Sequence, residues 1–246
     1  MTRTLRAAAL TAASLSAVLA LAGCAGPTPT PSATPDAATL RPTATAAPAA
    51  EPVDPLTTVT TLVARPEALE LRDASGAVVA SLDYTGSTDE AVATLSAVLG
   101  GAPAEEPYDG GNHFPPGMLR TWADAVELDE RFYSEERRAE LPFQVVWPRF
   151  AVSFTAATVD GVDLTTDTNV HVGDAYAALA DQIDPDLWTC TGWAVEHVEL
   201  PRDEYEPLKI GVGVTDWYYD PTGAWTQGSD VVVAITAPLS VADGCA

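Results

Sequence analysis

Three histidines are the side chains in this sequence best able to serve as a catalytic base or a metal ligand. They are His113, His171 and His197. Nucleophilic catalysis needs a serine or cysteine beside such a histidine and an acid that orients the ring. No histidine lies in a signature of that kind, and the Gly-x-Ser-x-Gly turn is absent. Zinc would require several histidines or cysteines at ligand spacing. The sequence therefore predicts no catalytic residue, no metal site and no cofactor.

The surroundings of the histidines give each a structural interpretation. His113 lies in the glycine- and proline-rich stretch 101–117, which predicts a loop. Because loops often carry function, a site residue and a flexible excursion both stay open for His113. His171 and His197 alternate with valines, so they are predicted on strands with their rings toward solvent or an intermediate environment.

Paired acids suggest two further kinds of chemistry. Glu127 and Asp129 would be the acids of a metal-independent hydrolase, and they share a face only if a strand continues that far. Calcium is suggested by two other pairs, Asp184 with Asp186 and Asp216 with Asp220. No stretch follows the twelve-residue calcium-loop pattern, so these acids are predicted to be turn formers, caps and surface.

An aromatic run near the carboxyl end could form a ligand platform. Trp217, Tyr218 and Tyr219 are consecutive, and Trp225 follows across the turn at 220–223. Consecutive strand residues face opposite sides, so Trp217, Tyr219 and Trp225 are the candidate platform. The alternative is cross-strand packing between Trp225 and either of the other two, which stabilises hairpins.

The first half of the globular part predicts strands followed by a helix. Strands are predicted at 59–63, 68–72 and 77–84, with a turn at 73–76. Ser87 stands three residues before Glu90 as a capping box, and the apolar residues that follow form one helical face until Gly100. Strands at 122–128, 143–147 and 150–159 come next, and 129–140 is either a solvated helix or a loop.

The second half predicts a similar cycle. A helix begins near Ala175 with an apolar stripe through Ile183, and strands follow at 193–200, 209–218 and 231–235. The last of these is wholly apolar and should be central in its sheet. The pattern predicts an α+β fold, a mostly antiparallel sheet with two main helices, in two related β-β-α-β halves.

The charge of the chain excludes some partners. The formal net charge is −23, from 35 acidic and 12 basic residues. Nucleic-acid binding needs a patch of Lys and Arg, which this chain cannot build. An anionic lipid surface would repel the domain as well. Cations, basic partners and neutral ligands remain open.

Two cysteines belong to the globular part. Outside the cytoplasm, Cys190 and Cys245 would form a disulfide. This disulfide would close a loop of about 55 residues, and in the chain-entropy model it would contribute about 4 kcal/mol to stability. The alternative is two free buried thiols.

The amino-terminal residues have the order of an export signal. Arg3 and Arg6 precede the apolar stretch 7–21, and Leu21-Ala22-Gly23-Cys24 follows at once. That tetrapeptide resembles the lipobox of bacterial lipoproteins, a resemblance confined to the first 24 residues. It implies that a diacylglyceryl group is attached to Cys24 and that residues 1–23 are removed as a signal peptide. An ordinary signal peptide, cut near Ala25 with Cys24 lost, is the alternative.

A tether and a single domain are predicted after the lipidated cysteine. Residues 24–55 are nearly all Pro, Thr, Ala and Ser, with eight prolines, and such a segment cannot form a core. It would reach on the order of 100 Å if fully extended as polyproline. Residues 56–246 are predicted as an acidic globular domain. This composition is similar to that of actinobacterial exported lipoproteins.

These observations predict the cellular location of the protein more specifically than its function. The protein is predicted to lie on the outer face of the cell membrane, held in the bilayer by acyl chains on Cys24. The predicted role is non-enzymatic, either binding a cell-wall or protein partner or serving as structure at the envelope. The alternative is a cell-wall hydrolase, or an accessory factor to one.

Overall fold

A computed structural model of the chain describes residues 53–111, 115–136, 148–183, 187–189, 192–201, 207–219, 225–227 and 230–241. Several sequence predictions fall outside these residues, namely the lipidation site Cys24, the pair Cys190 and Cys245, the loop residue His113 and the strand at 143–147. Among the described residues, no helix has the length and apolar character needed to cross a bilayer.

Five of the described strands form one sheet. In spatial order they are β3 (Val78–Asp83), β2 (Ala68–Asp73), β1 (Val59–Ala64), β9 (Val162–Thr166) and β8 (Thr158–Val159). The β1–β2, β2–β3 and β8–β9 pairs are antiparallel, whereas β1 and β9 run parallel and join segments that are about a hundred residues apart in sequence. This parallel pair is a long-range contact that no local pattern predicts.

Eight described strands form a second sheet, and a separate two-stranded hairpin completes the β-structure. The second sheet runs in the order β10 (Trp188–Thr189), β11 (Gly192–Leu200), β12 (Leu208–Thr215), β15 (Ala234–Val241), β7 (Phe150–Phe154), β6 (Val126–Arg131), β5 (Gly117–Trp122) and β4 (Ala104–Tyr108). All its pairs are antiparallel. The hairpin pairs β13 (Trp217–Tyr219) with β14 (Trp225–Gln227).

The α-helix α1 (Thr88–Val98) connects the first sheet to β4 at the edge of the second. Two short 3-10 helices span Pro55–Thr58 and Tyr176–Leu179. The predicted capping serine is confirmed, because the Ser87 hydroxyl accepts a hydrogen bond from the Glu90 N–H at 3.3 Å. Gly100 follows the helix with φ of +78°, a left-handed conformation that glycine adopts without strain.

The two large sheets enclose one hydrophobic core. Leu62 on β1 pairs with Leu71 on β2 and Leu164 on β9, and all three are fully buried. Phe154 and Ile235, partners across β7 and β15, close the core from the second sheet. The buried face of α1 joins the same core. The architecture is therefore two packed sheets with one helix beside them.

The predicted α+β fold with two main helices is wrong. The described residues are mostly β, with one main helix, and the two β-β-α-β halves do not appear. The predicted helix at Ala175 is only the 3-10 helix Tyr176–Leu179. Its first backbone groups bond elsewhere: the Tyr176 N–H donates to the Asp230 carbonyl at 2.8 Å, and Ala175 bridges Val231. This long-range pairing replaces the first helical turn.

Two predictions of local structure around β4 to β6 are also wrong. The predicted strand at 122–128 is interrupted: Trp122 ends β5, residues 123–125 form a hairpin turn in which Ala123 and Asp124 adopt φ of +49° and +54°, and residues 126–128 begin β6. The predicted loop at 101–117 contains β4, an edge strand that tolerates Pro107 because it has a neighbour on one side only. The predicted strand at 150–159 is divided into β7 and β8.

Other predictions are confirmed. The strands at 59–63, 68–72 and 77–84 correspond to β1, β2 and β3, and the turn at 73–76 joins β2 to β3. There the Asp73 carboxylate accepts from the N–H groups of Ser75 and Ala77 at 2.8 and 3.0 Å. The apolar strand predicted at 231–235 is β15, which begins at Ala234, three residues later than predicted. It is central as predicted, because it lies between β12 and β7.

Candidate functional site

An open cleft lies where the first turn of α1 meets the end of β6. Its larger part, of about 430 Å³, is lined by Ser87, Thr88 and Asp89 from the helix start, with Glu130 from β6 and Arg149. The backbone N–H of Arg149 donates to the carbonyl of Tyr84 at 2.8 Å, which fixes Arg149 beside the segment that leads into the helix. Three separate segments of chain thus converge on one concave surface.

The cleft continues past the end of β6. A smaller part, of about 300 Å³, shares Thr88, Glu130 and Arg149 with the larger part and is also lined by Arg131, Phe132, Tyr133 and Ser134. The backbone of Phe132 is held by its N–H, which donates to the Pro116 carbonyl at 2.9 Å. Its side chain is 51% exposed. We call the two parts together the α1 cleft.

Ion pairs organise the charged side chains of the α1 cleft. Glu130 Oε2 accepts from Arg120 Nη1 at 2.6 Å, and Arg120 Nε donates to Glu105 Oε1 at 2.9 Å. Arg149 Nη1 lies 3.1 Å from Glu135 Oε1 on the exposed side. Asp89 is exposed and makes no side-chain hydrogen bond or ion pair with the described residues. The cleft thus combines paired charges with one carboxylate open to a ligand.

The acids Glu127 and Asp129 lie on one face of β6, since the strand continues to Arg131. Alternation places them on the opposite face of the strand from Glu130, and neither is among the residues that line the α1 cleft. Both oxygens of Asp129 are engaged: Oδ1 accepts from the Tyr108 hydroxyl at 2.5 Å, and Oδ2 from Arg131 Nε at 2.9 Å. Burial, with a contribution from Asp129, raises the pKa of Glu127.

A second group of charges joins the two sheets, and we call it the Arg65 cluster: Arg65, Glu70, Arg72, Asp167 and Glu196. Arg65 Nη1 lies 2.9 Å from Asp167 Oδ1, and Arg65 Nε lies 2.7 Å from Glu196 Oε1 on β11. Arg72 contacts Glu70 at 2.5 Å and Asp167 at 2.8 Å. Since Glu196 belongs to the second sheet and the others to the first sheet and its turns, the cluster links the two layers.

Three buried polar atoms in or beside the Arg65 cluster have no hydrogen-bond partner of good geometry among the described residues: Arg65 Nε, Glu196 Oε2 and the hydroxyl oxygen of Tyr84. Arg65 Nε is nevertheless in an ion pair with Glu196 Oε1. Burial raises the pKa of Glu196 despite the opposing effect of Arg65, and burial also raises the pKa of Tyr84. The folded chain therefore holds Glu196 in a place that favours the protonated carboxyl.

The two histidines among the described residues lie outside the α1 cleft. His171 lies after β9, not on a strand as predicted. Its Nε2 is 3.2 Å from Asp163 Oδ2, and its backbone N–H donates to Asp174 Oδ2 at 2.8 Å. His197 lies on β11 and is exposed. Neither lines the α1 cleft.

The residues of the predicted aromatic platform lie on the β13–β14 hairpin. Tyr219 pairs with Trp225 in the hairpin, and Trp217 pairs with Gln227. The platform itself stays a prediction. Of the acids considered for calcium, Asp216 is half-buried, whereas Asp184, Asp186 and Asp220 lie outside the described residues. Within the described part of the chain, no group of three or more His, Cys, Asp or Glu is arranged to hold a metal ion.

No local sequence pattern indicated the α1 cleft or the Arg65 cluster. The cleft residues come from segments about sixty residues apart, and only Ser87 carried a local signal, as a helix cap. Glu70 and Arg72 had a signal of their own, since opposite charges two positions apart share a face of a strand. Asp167 and Glu196 had none, because their approach depends on the parallel β1–β9 pair and on sheet packing.

No protein-family model matches this sequence, and no curated protein or solved structure matches it either.

Proposed function

We propose that this protein is an exported lipoprotein, anchored through Cys24, whose β domain binds an envelope component in the α1 cleft without catalysing a reaction. The observation that carries the binding role is Phe132, a large apolar side chain left half exposed at the wall of a polar cleft. Exposed aromatic groups beside hydrogen-bonding side chains are typical of recognition surfaces.

The charges of the cleft favour recognition over catalysis. Glu130 Oε2 accepts from Arg120 Nη1 at 2.6 Å, and Arg149 Nη1 lies 3.1 Å from Glu135 Oε1, so both side chains already have an oppositely charged partner. Paired charges of this kind are suited to orienting a ligand through hydrogen bonds.

The amino-terminal sequence supports the location. A charged start, an apolar stretch and Leu21-Ala22-Gly23-Cys24 resemble a lipoprotein signal. Two acyl chains provide stable anchoring, which the acidic domain cannot obtain from an anionic bilayer. The proline-rich tether would then carry the cleft away from the lipid toward wall material.

Capture from the native envelope tests this proposal. Affinity-tagged full chain would be expressed in its own cells, extracted with detergent and purified with whatever remains bound. We expect an envelope component that is retained by the Val78→Ala variant and lost from Phe132→Ala, since Val78 is equally exposed, at 52%, but lies on β3 outside the cleft. Identical material from all three chains would contradict the role of the cleft, and a cytosolic chain would contradict the anchor.

A wall hydrolase is the second candidate, and one observation favours it. Glu127 and Asp129 share a face of β6, and the pKa of Glu127 is raised, as a general acid requires. Asp129, however, is already bound by Tyr108 and Arg131. Incubation of the full chain with peptidoglycan tests this candidate. Fragments released by the wild type and not by Glu127→Gln would favour hydrolysis over binding.

A further inference from the structure

The charged side chains that line the α1 cleft balance one another. Two are acidic, Asp89 and Glu130, and two are basic, Arg131 and Arg149. This balance is unusual in a chain with a formal net charge of −23. Glu130, Arg131 and Arg149 are already paired with Arg120, Asp129 and Glu135, so they present little net charge to a ligand. A single open carboxylate, Asp89, can accept hydrogen bonds from hydroxyl groups, and the lining therefore suits a ligand without net charge.

The same lining is dense in groups that hydrogen-bond to hydroxyls. Carboxylates accept from two adjacent hydroxyl groups, and a guanidinium donates to two adjacent oxygens, so Asp89 and Arg149 suit a vicinal diol. The hydroxyl groups of Thr88 and Ser134 also belong to the lining of the cleft. A ligand that matches this wall carries many hydroxyl groups and no charge.

Phe132 supplies the complementary apolar contact. The ring stands beside the polar wall and is 51% exposed. A pyranose ring presents a face of C–H groups and an edge of hydroxyl groups, which can contact an aromatic face and a polar wall at once. The two parts of the cleft share Thr88, Glu130 and Arg149 and are open, so an extended chain can lie along them. Their volumes are within the size range of small-ligand sites.

We propose that the α1 cleft binds a segment of uncharged oligosaccharide, with Phe132 against a sugar face and Asp89 and Arg149 bonded to sugar hydroxyls. This inference rests on the proposed function and names the ligand class for the same cleft.

Calorimetric titration of the detergent-extracted full chain tests the ligand class. The probes are the uncharged trimer of N-acetylglucosamine, the uncharged trimers of glucose in β-1,4 and α-1,4 linkage, and the cationic trimer of glucosamine. We expect at least one uncharged trimer to bind and the cationic trimer to bind more weakly than its acetylated counterpart. Binding of the cationic trimer in preference, or of no uncharged trimer, would overturn the inference.

Variants locate the binding. Phe132→Ala should weaken the binding of the uncharged trimer about tenfold, because the loss of an aromatic contact of this kind raises Kd by about a factor of ten. Asp89→Asn should weaken binding as well, and Phe132→Tyr, which keeps the ring, should lose less affinity than Phe132→Ala. Val78→Ala, outside the cleft, should leave the affinity unchanged. Equal affinity of Phe132→Ala and wild type would place the sugar elsewhere and overturn the inference.

The two proposals fail in different ways. If no trimer binds but envelope capture still depends on Phe132, the ligand class is wrong and the binding function stands. If capture is also insensitive to Phe132, both are wrong.

Discussion

The Arg65 cluster makes a prediction about which half of an ion pair can be removed. Arg65 and Glu196 approach to 2.7 Å between the two sheets, and their side chains are 30% and 15% exposed. Glu196→Gln removes the buried charge and leaves Arg65 with Asp167 at 2.9 Å. Arg65→Met instead leaves the Glu196 carboxylate buried beside Tyr84 without its cation. The two substitutions break one pair with opposite consequences.

The expected magnitudes follow from burial. Stranding one partner of a fully buried pair costs about 3–5 kcal/mol, and the partial exposure of Arg65 reduces this to about 2 kcal/mol for Arg65→Met. For a domain of this size the melting temperature would fall by about 6 °C. Glu196→Gln should leave the free energy of unfolding unchanged or raise it by up to about 1 kcal/mol at pH 7, because the folded state already disfavours the ionised carboxyl.

The pH dependence has a definite sign. The pKa of Glu196 is raised above its ordinary value of 4.5, so between that value and the raised one the folded chain binds more protons than the unfolded chain. The contribution of Glu196 to stability is therefore fully present below about 4.5 and is lost as pH rises through the raised pKa. Any advantage of Glu196→Gln at pH 7 should accordingly disappear near pH 4.5.

Guanidinium unfolding of the wild type and both variants at pH 7 and pH 4.5 measures these differences. Glu199→Gln is the matched control, because Glu199 lies on the same strand, is 54% exposed and is 3.8 Å from Lys209. It should change stability by less than about 0.5 kcal/mol. If Glu196→Gln cost more than about 1 kcal/mol at pH 7 and Arg65→Met cost no more than that, the reasoning about the buried carboxylate would be refuted.

Three further substitutions test the core, the strand contacts and the second carboxylate. Leu62→Ala, at a fully buried position facing both neighbouring strands, should cost about 2–5 kcal/mol in chemical unfolding, and a cost below about 1 kcal/mol would contradict a core shared by the two sheets. Gly117→Ala should destabilise the β4–β5–β6 region, because a Cβ would overlap the Tyr108 ring and the Glu130 carbonyl; unchanged amide exchange in these strands would argue against that packing. Glu127→Gln should raise the free energy of unfolding at pH 7 but not at pH 4.5, because burial and Asp129 raise the pKa of Glu127, and equal effects at both pH values would contradict this.

Local signals in the sequence predicted local structure well. The turn at 73–76 forms because the Asp73 carboxylate binds the N–H groups just ahead of it and Gly76 takes a φ of +82°. The start of α1 follows from the hydroxyl of Ser87. Each of these contacts spans four residues or fewer, so the residues that determine it are visible together in the sequence.

Non-local contacts explain the errors. The apolar stripe after Ala175 has the period of a helix, but Tyr176 donates its N–H to Asp230 and the helix stops after one 3-10 turn. The alternation at 122–128 spans the turn between β5 and β6, where Ala123 and Asp124 both adopt φ above zero, a conformation that is more common for Asp than for Ala. The hydrophobic periodicity of the sequence indicated neither the early end of the helix nor the turn.

The candidate site was outside the reach of sequence reasoning for the same reason. Phe132 follows a charged strand and would normally be assigned to a core. Its exposure depends on where Pro116 and Arg149 hold the end of β6, which is set by sheet pairing. The four residues that resemble a lipobox, by contrast, are adjacent in sequence, so they can be recognised without knowledge of the fold.

Mass spectrometry of the amino-terminal peptide of the native protein tests the central claim most directly. We expect a chain in the membrane fraction that begins at Cys24 and carries a diacylglyceryl group on its sulfur. A chain that retains residues 1–23, or one that begins beyond Cys24 without lipid, would contradict anchored display of the α1 cleft at the envelope.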